Sequence, residues 1–449
     1  MDYDILIRGG NVLAGGDVVE LDIGIGEGEI AALGPSLSGR ARTEIDATGL
    51  HVLPGGIDAH VHCDEPGRTE WEGFTTASAA LSAGGMTAFV DMPLNASPPT
   101  VDVDAFDLKL RAAEAHSRLD FALWGGLVPG RLDELPGLHA RGAIGFKAFM
   151  SETGMDDYRP ADDLTLREGM RRAAQLDALV AVHAEDNRIV TAGRDHALAA
   201  GRTDARSYLE SRPPAAETEA IRRAIEIADD TGCRLHIVHV STGEGIEQVR
   251  RARAEGVDVS CETVTHYLAL TDQDAIRIGT LAKCAPPIRD APTRERLWDF
   301  AAAADGIVAS DHSPCPPELK GTDDFFAAWG GVNGCQATLG VLLEGVGRGR
   351  LTLTAASAAV SAHVADRLRL PCKGVIAVDR DADITITDLA HTWTMQTEEL
   401  HYRHPISALV GTPMRGAIRH VLSRGRPIVT DGRVVGDGGG RLLRPDADR

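Results

Sequence analysis

The chain lacks the features that mark a disulfide-rich, membrane-spanning or nucleic-acid-binding protein. Its seven cysteines are scattered and include no CxxC pair, which favours free thiols in a reducing compartment. No apolar run approaches the roughly 18 residues that a membrane helix needs. Acidic side chains number 66 against 46 basic ones, for a formal net charge of −20. The electrostatic field of the whole chain therefore repels phosphates, and a phosphate-binding surface would be a local exception. Neither nucleic acid nor a membrane is therefore expected as a partner.

The N-terminal sequence also lacks the basic and apolar regions of a signal peptide. It reads MDYDILIRGG, with two acids and a short alternating pattern. We therefore expect a cytoplasmic protein. With 449 residues, 43% of them apolar, the chain is long enough for a full barrel and a small second domain.

Both ends of the chain have a sequence pattern that is typical of β-strands. Short β-like runs alternate with Gly-rich turns, without a helical period, at residues 5–8, 18–25, 30–33, 383–387, 418–422 and 427–429. Two β-rich ends that flank one long middle can pair in space. We expect residues 1–52 and 372–449 to form a composite β-sandwich domain, and residues 53–371 to form a separate domain.

The middle of the chain alternates short apolar runs with helical stretches, as a parallel α/β fold requires. The strand candidates are residues 50–61, 87–92, 121–128, 145–149, 179–183, 234–240, 258–263 and 306–309. The helix candidates include residues 72–83, 105–118, 166–177, 218–231, 245–255 and 293–304. Eight such units over this length predict a (β/α)8 TIM barrel, with an open doubly wound sheet as the alternative.

Five of the eight predicted strands end in a side chain that can bind a metal. These side chains are His60, His62, Lys147, His183, His239 and Asp311. Because the carboxyl ends of barrel strands converge on one face, we expect a single site there. Imidazole nitrogens and a carboxylate suit divalent Zn, Co, Mn or Fe, and the absence of Cys ligands argues against a closed structural zinc.

Strand alternation refines this set of residues. His60 and His62 lie two apart and point the same way, so one ion can take both. His236 precedes His239 by three residues, which predicts that it faces the opposite side and is structural. Lys147 lies in an apolar strand, where an unpaired ammonium is costly, so it must be paired, exposed at the strand end or chemically altered.

These residues resemble the cyclic amidohydrolase branch of the amidohydrolase superfamily, which includes dihydroorotases, dihydropyrimidinases (hydantoinases) and allantoinases. The resemblance covers essentially the whole chain. It implies two divalent metal ions, zinc first with Co, Mn or Fe as alternatives, held by the six residues named above. It also implies that Lys147 carries a carbamate derived from CO2, an anion that can bridge two cations, and that the chain is a homotetramer or homodimer.

Within that branch, the segment after His62 resembles the allantoinases. Dihydroorotases read HxHxR and use the Arg to hold a substrate carboxylate, whereas Asp64 stands at that position here and is expected to repel dihydroorotate. Residues 65–73, EPGRTEWEG, are similar to the allantoinase pattern, as are residues 92–95, 145–147, 281–289, 310–317 and 328–331. Asp64 and residues 264–267, VTHY where CPHY is more usual, depart from the family pattern and bear on substrate range.

The resemblance implies hydrolysis of the ring amide of allantoin, a small cyclic ureide, to allantoate in purine and ureide catabolism. Two metals can lower the pKa of a bridging water and draw charge from the carbonyl oxygen. Asp311 is expected to act as general base and return the proton to the leaving nitrogen. Asn95 and Ser313 are the candidates for hydrogen bonds to the substrate. A hydantoinase or dihydropyrimidinase, and a non-catalytic scaffold of that kind, remain the alternatives.

Overall fold

The N-terminal residues form a set of strands centred on one long strand. The computed structural model describes residues 2–446. The strands are β1 (Asp2–Ala14), β2 (Asp17–Gly26), β3 (Glu29–Gly34), β4 (Arg40–Asp46) and β5 (His51–Pro54). β1 and β2 are antiparallel, with Ile5 opposite Ile25, while β4 and β5 both pair with β1 in parallel.

The middle of the chain contributes a second set of strands, all of which pair in parallel. They are β6 (Gly56–Val61), β7 (Met86–Asp91), β8 (Asp120–Leu123), β9 (Gly125–Gly126), β10 (Gly145–Phe149), β11 (Leu179–His183), β12 (Arg234–Ile237), β13 (Val259–Cys261), β14 (Thr263–Val264) and β15 (Val308–Ala309). Single residues, Trp124 and Glu262, separate β8 from β9 and β13 from β14, so these pairs are each one barrel strand. Most of these strand residues are buried, as parallel strands covered on both faces require.

Hydrogen bonds close these strands into a ring. β6, β7 and β8 pair in order, β9 to β13 continue the series, and β14 pairs with β15. The chain after β15 returns to β6, where Val61 and His312 form a parallel bridge and His62 N donates to His312 O at 2.8 Å. This ring of eight parallel strands confirms the predicted (β/α)8 barrel.

Helices connect the barrel strands and cover them. They are α1 (Phe74–Ala83), α2 (Val103–His116), α3 (Leu135–Arg141), α4 (Asp163–Gln175), α5 (Asn187–Ala199), α6 (Ala205–Ser211), α7 (Pro214–Thr231), α8 (Gly243–Ala254), α9 (Thr265–Ala269), α10 (Asp272–Ile278), α11 (Ala291–Ala301), α12 (Thr338–Gly347), α13 (Leu353–Ala359) and α14 (Ala362–Leu368). Side-chain caps fix several starts: Asp186 accepts from Ile189 N at α5, and Asp204 accepts from Ser207 N at α6. α5 and α6 place additional residues beside the end of β11.

The C-terminal strands complete the sheet that β1 to β5 begin. These strands are β16 (Ile384–Thr394), β17 (Pro413–Ser423), β18 (Arg426–Thr430) and β19 (Arg433–Val434). β5 joins the two halves, since it pairs with β1 on one side and, through Val52 opposite Ile386, with β16 on the other. One apolar cluster contains residues of both ends, among them Ile7 and Leu422. The predicted composite β domain is thus present, while its exact limits at residues 52 and 372 stay a prediction.

Two local predictions are wrong. The run 50–61 is not one strand, because Gly55 and Gly56 let the chain pass from β5 in the sheet to β6 in the barrel. The approach there is close enough that a Cβ on Gly55 would lie 2.3 Å from the Thr87 side chain. β4 was missed because its residues are mostly exposed and polar and show no apolar alternation.

The six cysteines from Cys63 to Cys335 are buried free thiols. In the part of the chain that the structure describes, none of the helices combines the length and apolar composition that crossing a membrane demands.

Candidate metal and substrate site

The first group of predicted ligands meets at the junction of the first and last barrel strands. His60, His62 and Asp311 each offer a ligand atom, and these atoms all lie within 4.8 Å of one another. Asp311 Oδ1 is 3.2 Å from His60 Nε2 and 3.5 Å from His62 Nε2. Asp311 has a left-handed backbone, with φ 45°, which is costly for a non-glycine residue and typical of functional sites. Three buried donor atoms thus converge as a metal site requires.

The second group consists of His183, at the end of β11, and His239, just beyond β12. His183 Nδ1 faces His239 Nε2 at 3.0 Å, and the His239 ring lies 5.4 Å from the His60 ring, which connects the two groups. His239 also has a left-handed backbone, with φ 38°. Burial lowers the pKa of His60, His183 and His239, which favours the neutral imidazole that binds a metal.

Lys147, on β10, is fully buried among these residues. Its Nζ has no hydrogen-bond partner within residues 2–446 and lies 5.1 Å from the centre of the Phe149 ring, which stacks on His183. Burial lowers the pKa of Lys147 to about 7, against the opposing effect of the Glu262 and Asp311 carboxylates. The Nζ is thus neither hydrogen-bonded within the described chain nor exposed to solvent. The third option that the sequence left open, a chemically altered amine, stays a prediction.

Glu262, between β13 and β14, was not singled out from the sequence, although it is a carboxylate inside a buried strand. Its Oε1 lies 2.7 Å from His60 Nδ1, and its Oε2 lies 3.2 Å from His236 Nε2. Burial alone would raise the pKa of Glu262, but the hydrogen bonds from His236 and His60 outweigh it and bring the pKa to about 2. The ionised carboxylate accepts from His60 Nδ1 and leaves Nε2 free toward Asp311.

The position of His236 corrects the alternation argument. His236 was expected on the opposite face from His239, yet it bonds the same carboxylate that holds His60. The prediction failed because β12 ends at Ile237 and the left-handed backbone of His239 breaks the period of two. His236 therefore supports the site through its hydrogen bond to Glu262 and remains a structural residue.

Glu185 and Arg212 orient His183. His183 Nε2 donates to Glu185 Oε2 at 2.9 Å, and Arg212 forms a short ion pair with the same oxygen. Burial would raise the pKa of Glu185, but Arg212 and His183 lower it to about 2. This arrangement directs His183 Nδ1 toward His239, which is the orientation that a shared ion needs.

A cavity of about 480 Å³ opens onto these ligands, a size suited to a small molecule. Both predicted substrate-binding residues lie on its wall, and Asn95 Nδ2 donates to Ser313 Oγ at 3.4 Å. Asn95 follows β7 and Ser313 follows β15, so distant parts of the chain meet at this wall. The wall also includes Arg212, Lys283 and Trp329, which sequence reasoning did not assign.

Asp64 is not part of the cavity wall, which corrects the electrostatic argument made from its position. Its side chain is buried with a left-handed backbone, φ 60°, and both carboxylate oxygens lack a hydrogen-bond partner in the described chain. Burial, with the nearby Asp91 and Glu72, raises the pKa of Asp64 well above its usual value. An acid that does not line the cavity is not placed to contact a substrate carboxylate. The position still lacks the arginine of the dihydroorotases.

Comparison with known proteins agrees with this architecture. A model described as "Amidohydrolase family" matches residues 51–428. An allantoinase from Rubrobacter xylanophilus is 52% identical over all of this chain and 99% of its own length, and one from Solibacter usitatus is 50% identical over 99% and 98%.

Solved structures are similar over the same extent. The L-hydantoinase (dihydropyrimidinase) of Arthrobacter aurescens superposes with a TM-score of 0.95 at 34% identity, covering 98% of this chain and all of its own. A D-hydantoinase (dihydropyrimidinase) from Thermus sp. gives a TM-score of 0.92 at 29% identity, covering 98% and 99%. The likeness therefore includes both the barrel and the composite β domain.

Proposed function

The chain belongs to the amidohydrolase family, and from that premise we propose that it hydrolyses the ring amide of allantoin to give allantoate. The observation that carries this proposal is its full-length similarity to allantoinases, at about half of all positions. The reaction class is hydrolysis of a cyclic amide in a small ureide substrate, as a step of purine and ureide catabolism. The cavity next to the histidine and aspartate cluster has the size that such a substrate needs.

The donor set fits a pair of divalent metal ions. We assign His60, His62 and Asp311 to one ion and His183 and His239 to the other. His183 Nδ1 and His239 Nε2 lie 3.0 Å apart in buried surroundings, and both could bind the same ion. When bound, the ions would supply a strong nucleophile from water and draw charge from the scissile carbonyl. Nitrogen and carboxylate donors suit zinc first, with Co, Mn or Fe as alternatives.

We assign Lys147, as a carbamate, to both ions, which its two oxygens would hold. The neutral amine adds to CO2, so that an N–C bond forms and one proton is released, and the side chain becomes an anion with two oxygens. The buried, unpartnered Nζ supports this step, because it replaces a costly cation by a ligand.

Asp311 performs the proton transfers in this proposal. Its carboxylate lines the cavity beside His60 and His62 and takes a proton from the attacking water. The water oxygen bonds to the ring carbonyl carbon and the ring C–N bond breaks. Asp311 then returns the proton to the leaving nitrogen, which becomes a ureido NH2 group, and the second water proton dissociates from the new carboxylic acid to leave a carboxylate.

Asn95 and Ser313 position the ring. The Asn95 amide donates one N–H to Ser313 Oγ, which leaves its carbonyl oxygen and second N–H for a ligand. The Ser313 hydroxyl can donate in turn. The hydantoin ring presents carbonyl acceptors and N–H donors, so these groups complement it in both directions.

A substrate panel tests the assignment. Purified protein with added Zn, Co or Mn should open allantoin with a kcat/KM at least about tenfold above that for hydantoin, dihydrouracil or dihydroorotate, since only allantoin carries the ureido arm. The measurement is ring opening, followed as formation of the carboxylate product. A kcat/KM for 5-alkyl hydantoins that equals or exceeds the value for allantoin would favour the alternative, a hydantoinase or dihydropyrimidinase, with which the solved structures are consistent.

Two further assignments rest on the family resemblance and on the sequence. We propose that the 47.6 kDa chain acts as a homotetramer or homodimer and in the cytoplasm. Light scattering of the purified protein measures the oligomeric state.

A further inference from the structure

Lys283 lies on the cavity wall and forms no ion pair with a carboxylate of residues 2–446. Lys283 is 8% exposed, and its Nζ donates to the backbone carbonyls of Phe326 and Ala328. Gly331 N in turn donates to Lys283 O at 2.8 Å. Lys283 and the carbonyl-bearing segment it contacts both belong to the cavity wall. The ammonium has three N–H groups, and the segment accepts two of them.

The charge on Lys283 is opposed by its neighbours. Burial, together with the cations Lys320 and Arg212, lowers the pKa of Lys283 to about 7 against a weaker effect of Asp324. Lys320 is itself buried and donates to Thr280 O and Gly331 O. Backbone carbonyls are satisfied equally well by neutral donors, which cost less to bury. Burial of a lysine here therefore costs free energy that a neutral donor would not, unless the remaining N–H donates to a ligand.

Tyr208 connects Lys283 to the histidine cluster. The Tyr208 ring lies 5.0 Å from Lys283 Nζ and 5.6 Å from the Arg212 guanidinium, and its hydroxyl donates to Cys284 O at 3.0 Å. Arg212 pairs with Glu185, which accepts from His183. Tyr208, Arg212 and Glu185 thus link Lys283 to His183, and Lys283 and His183 both lie on the wall of the same cavity.

We propose that Lys283 and the Tyr208 ring form a subsite for the ureido arm of allantoin, in which Lys283 donates its third N–H to the ureido oxygen. This inference rests on the proposed function and adds the residue that selects the arm. The urea oxygen is a strong acceptor, and the arm's N–H groups can donate to backbone carbonyls of the same wall. An alkyl or aryl arm would leave the ammonium without an acceptor, so the subsite rejects it.

Comparison of Lys283→Met with a matched control tests the subsite. Lys320→Met removes a second buried lysine that also bonds two backbone carbonyls but is not part of the cavity wall. For each variant we would measure kcat/KM for allantoin and the inhibition constant of hydantoin, which has the ring but no arm. Lys283→Met should lower kcat/KM for allantoin about 10- to 100-fold, the worth of a hydrogen bond from a charged donor, and leave the hydantoin constant within about threefold. Lys320→Met should change both quantities by the same factor.

The remaining outcomes separate the subsite from the proposed function. The subsite would be overturned if Lys283→Met weakened hydantoin inhibition by the same factor as it lowered kcat/KM for allantoin. An unchanged kcat/KM for allantoin would also overturn it. If Lys283→Met does not fold, Lys283→Gln takes its place, because glutamine keeps donors for the two carbonyls. We expect Lys283→Gln to lower kcat/KM for allantoin and to leave the inhibition constant of hydantoin unchanged. Should the wild-type enzyme bind hydantoin and fail to open allantoin, the proposed function itself would be wrong.

Discussion

Replacing Lys147 with alanine should abolish ring opening and reduce the bound metal from about two ions per chain to one or none. The reason is that the carbamate bridge would be lost, and even removal of groups that only support ligands costs roughly 10- to 100-fold in metal affinity. Metal analysis of the purified variant measures the content independently of activity. Acetate or propionate should restore part of both metal content and rate, whereas chloride at the same ionic strength should not.

The stability of the metal-free protein supplies the control. Lys147 Nζ makes no hydrogen bond in the described chain, so Lys147→Met removes an unpaired buried cation and should leave the melting temperature of the metal-free protein unchanged or higher. A purely structural lysine would show the reverse, a marked loss of stability. Full occupancy by two ions in Lys147→Ala would refute the bridge.

Replacing Asp311 with asparagine should lower kcat about 10²- to 10⁴-fold while at least one metal ion remains bound. Asparagine keeps the shape and one oxygen donor, but it cannot take a proton from water, and general base catalysis contributes in that range. His60, His62, His183 and His239 are untouched by the change and still hold metal. Steady-state kinetics together with metal analysis separate loss of the base from loss of the ion.

Asp58→Asn is the matched control for this variant. Asp58 is a second buried carboxylate near the same strand ends, but its Oδ1 accepts only from the backbone N–H groups of His60, at 3.2 Å, and Ser310, at 3.0 Å. Asparagine can keep these hydrogen bonds, so most of kcat should remain. If Asp58→Asn and Asp311→Asn lost kcat to the same degree, or if Asp311→Asn were fully active, the assignment of Asp311 as base would fail.

The parts of the site that depend on strand geometry could be predicted from the sequence. The two-residue spacing of His60 and His62, and the placement of His183 at the end of an apolar run, follow from strand alternation and from the convergence of barrel strands. The barrel itself follows from the number of β/α units. These features are local, so a short window of sequence contains the information.

The parts that depend on tertiary contacts could not be predicted. Lys283 and Tyr208 lie on different segments, and only the folded chain shows that the Lys283 ammonium lies over the Tyr208 ring. The role of Glu262 depends on two histidines from other strands. The mistaken argument for His236 has the same origin, because the left-handed backbone of His239 is invisible in a pattern of residue types.

The central claim is that this chain opens allantoin by means of metal ions held at the strand ends. Its most direct test is titration of chelator-treated, metal-free protein with zinc, with the rate of allantoate formation plotted against bound zinc per chain. We expect no measurable rate without metal and a rise to a plateau at about two ions per chain. Full activity in the metal-free protein, or no opening of allantoin at any zinc loading, would contradict it.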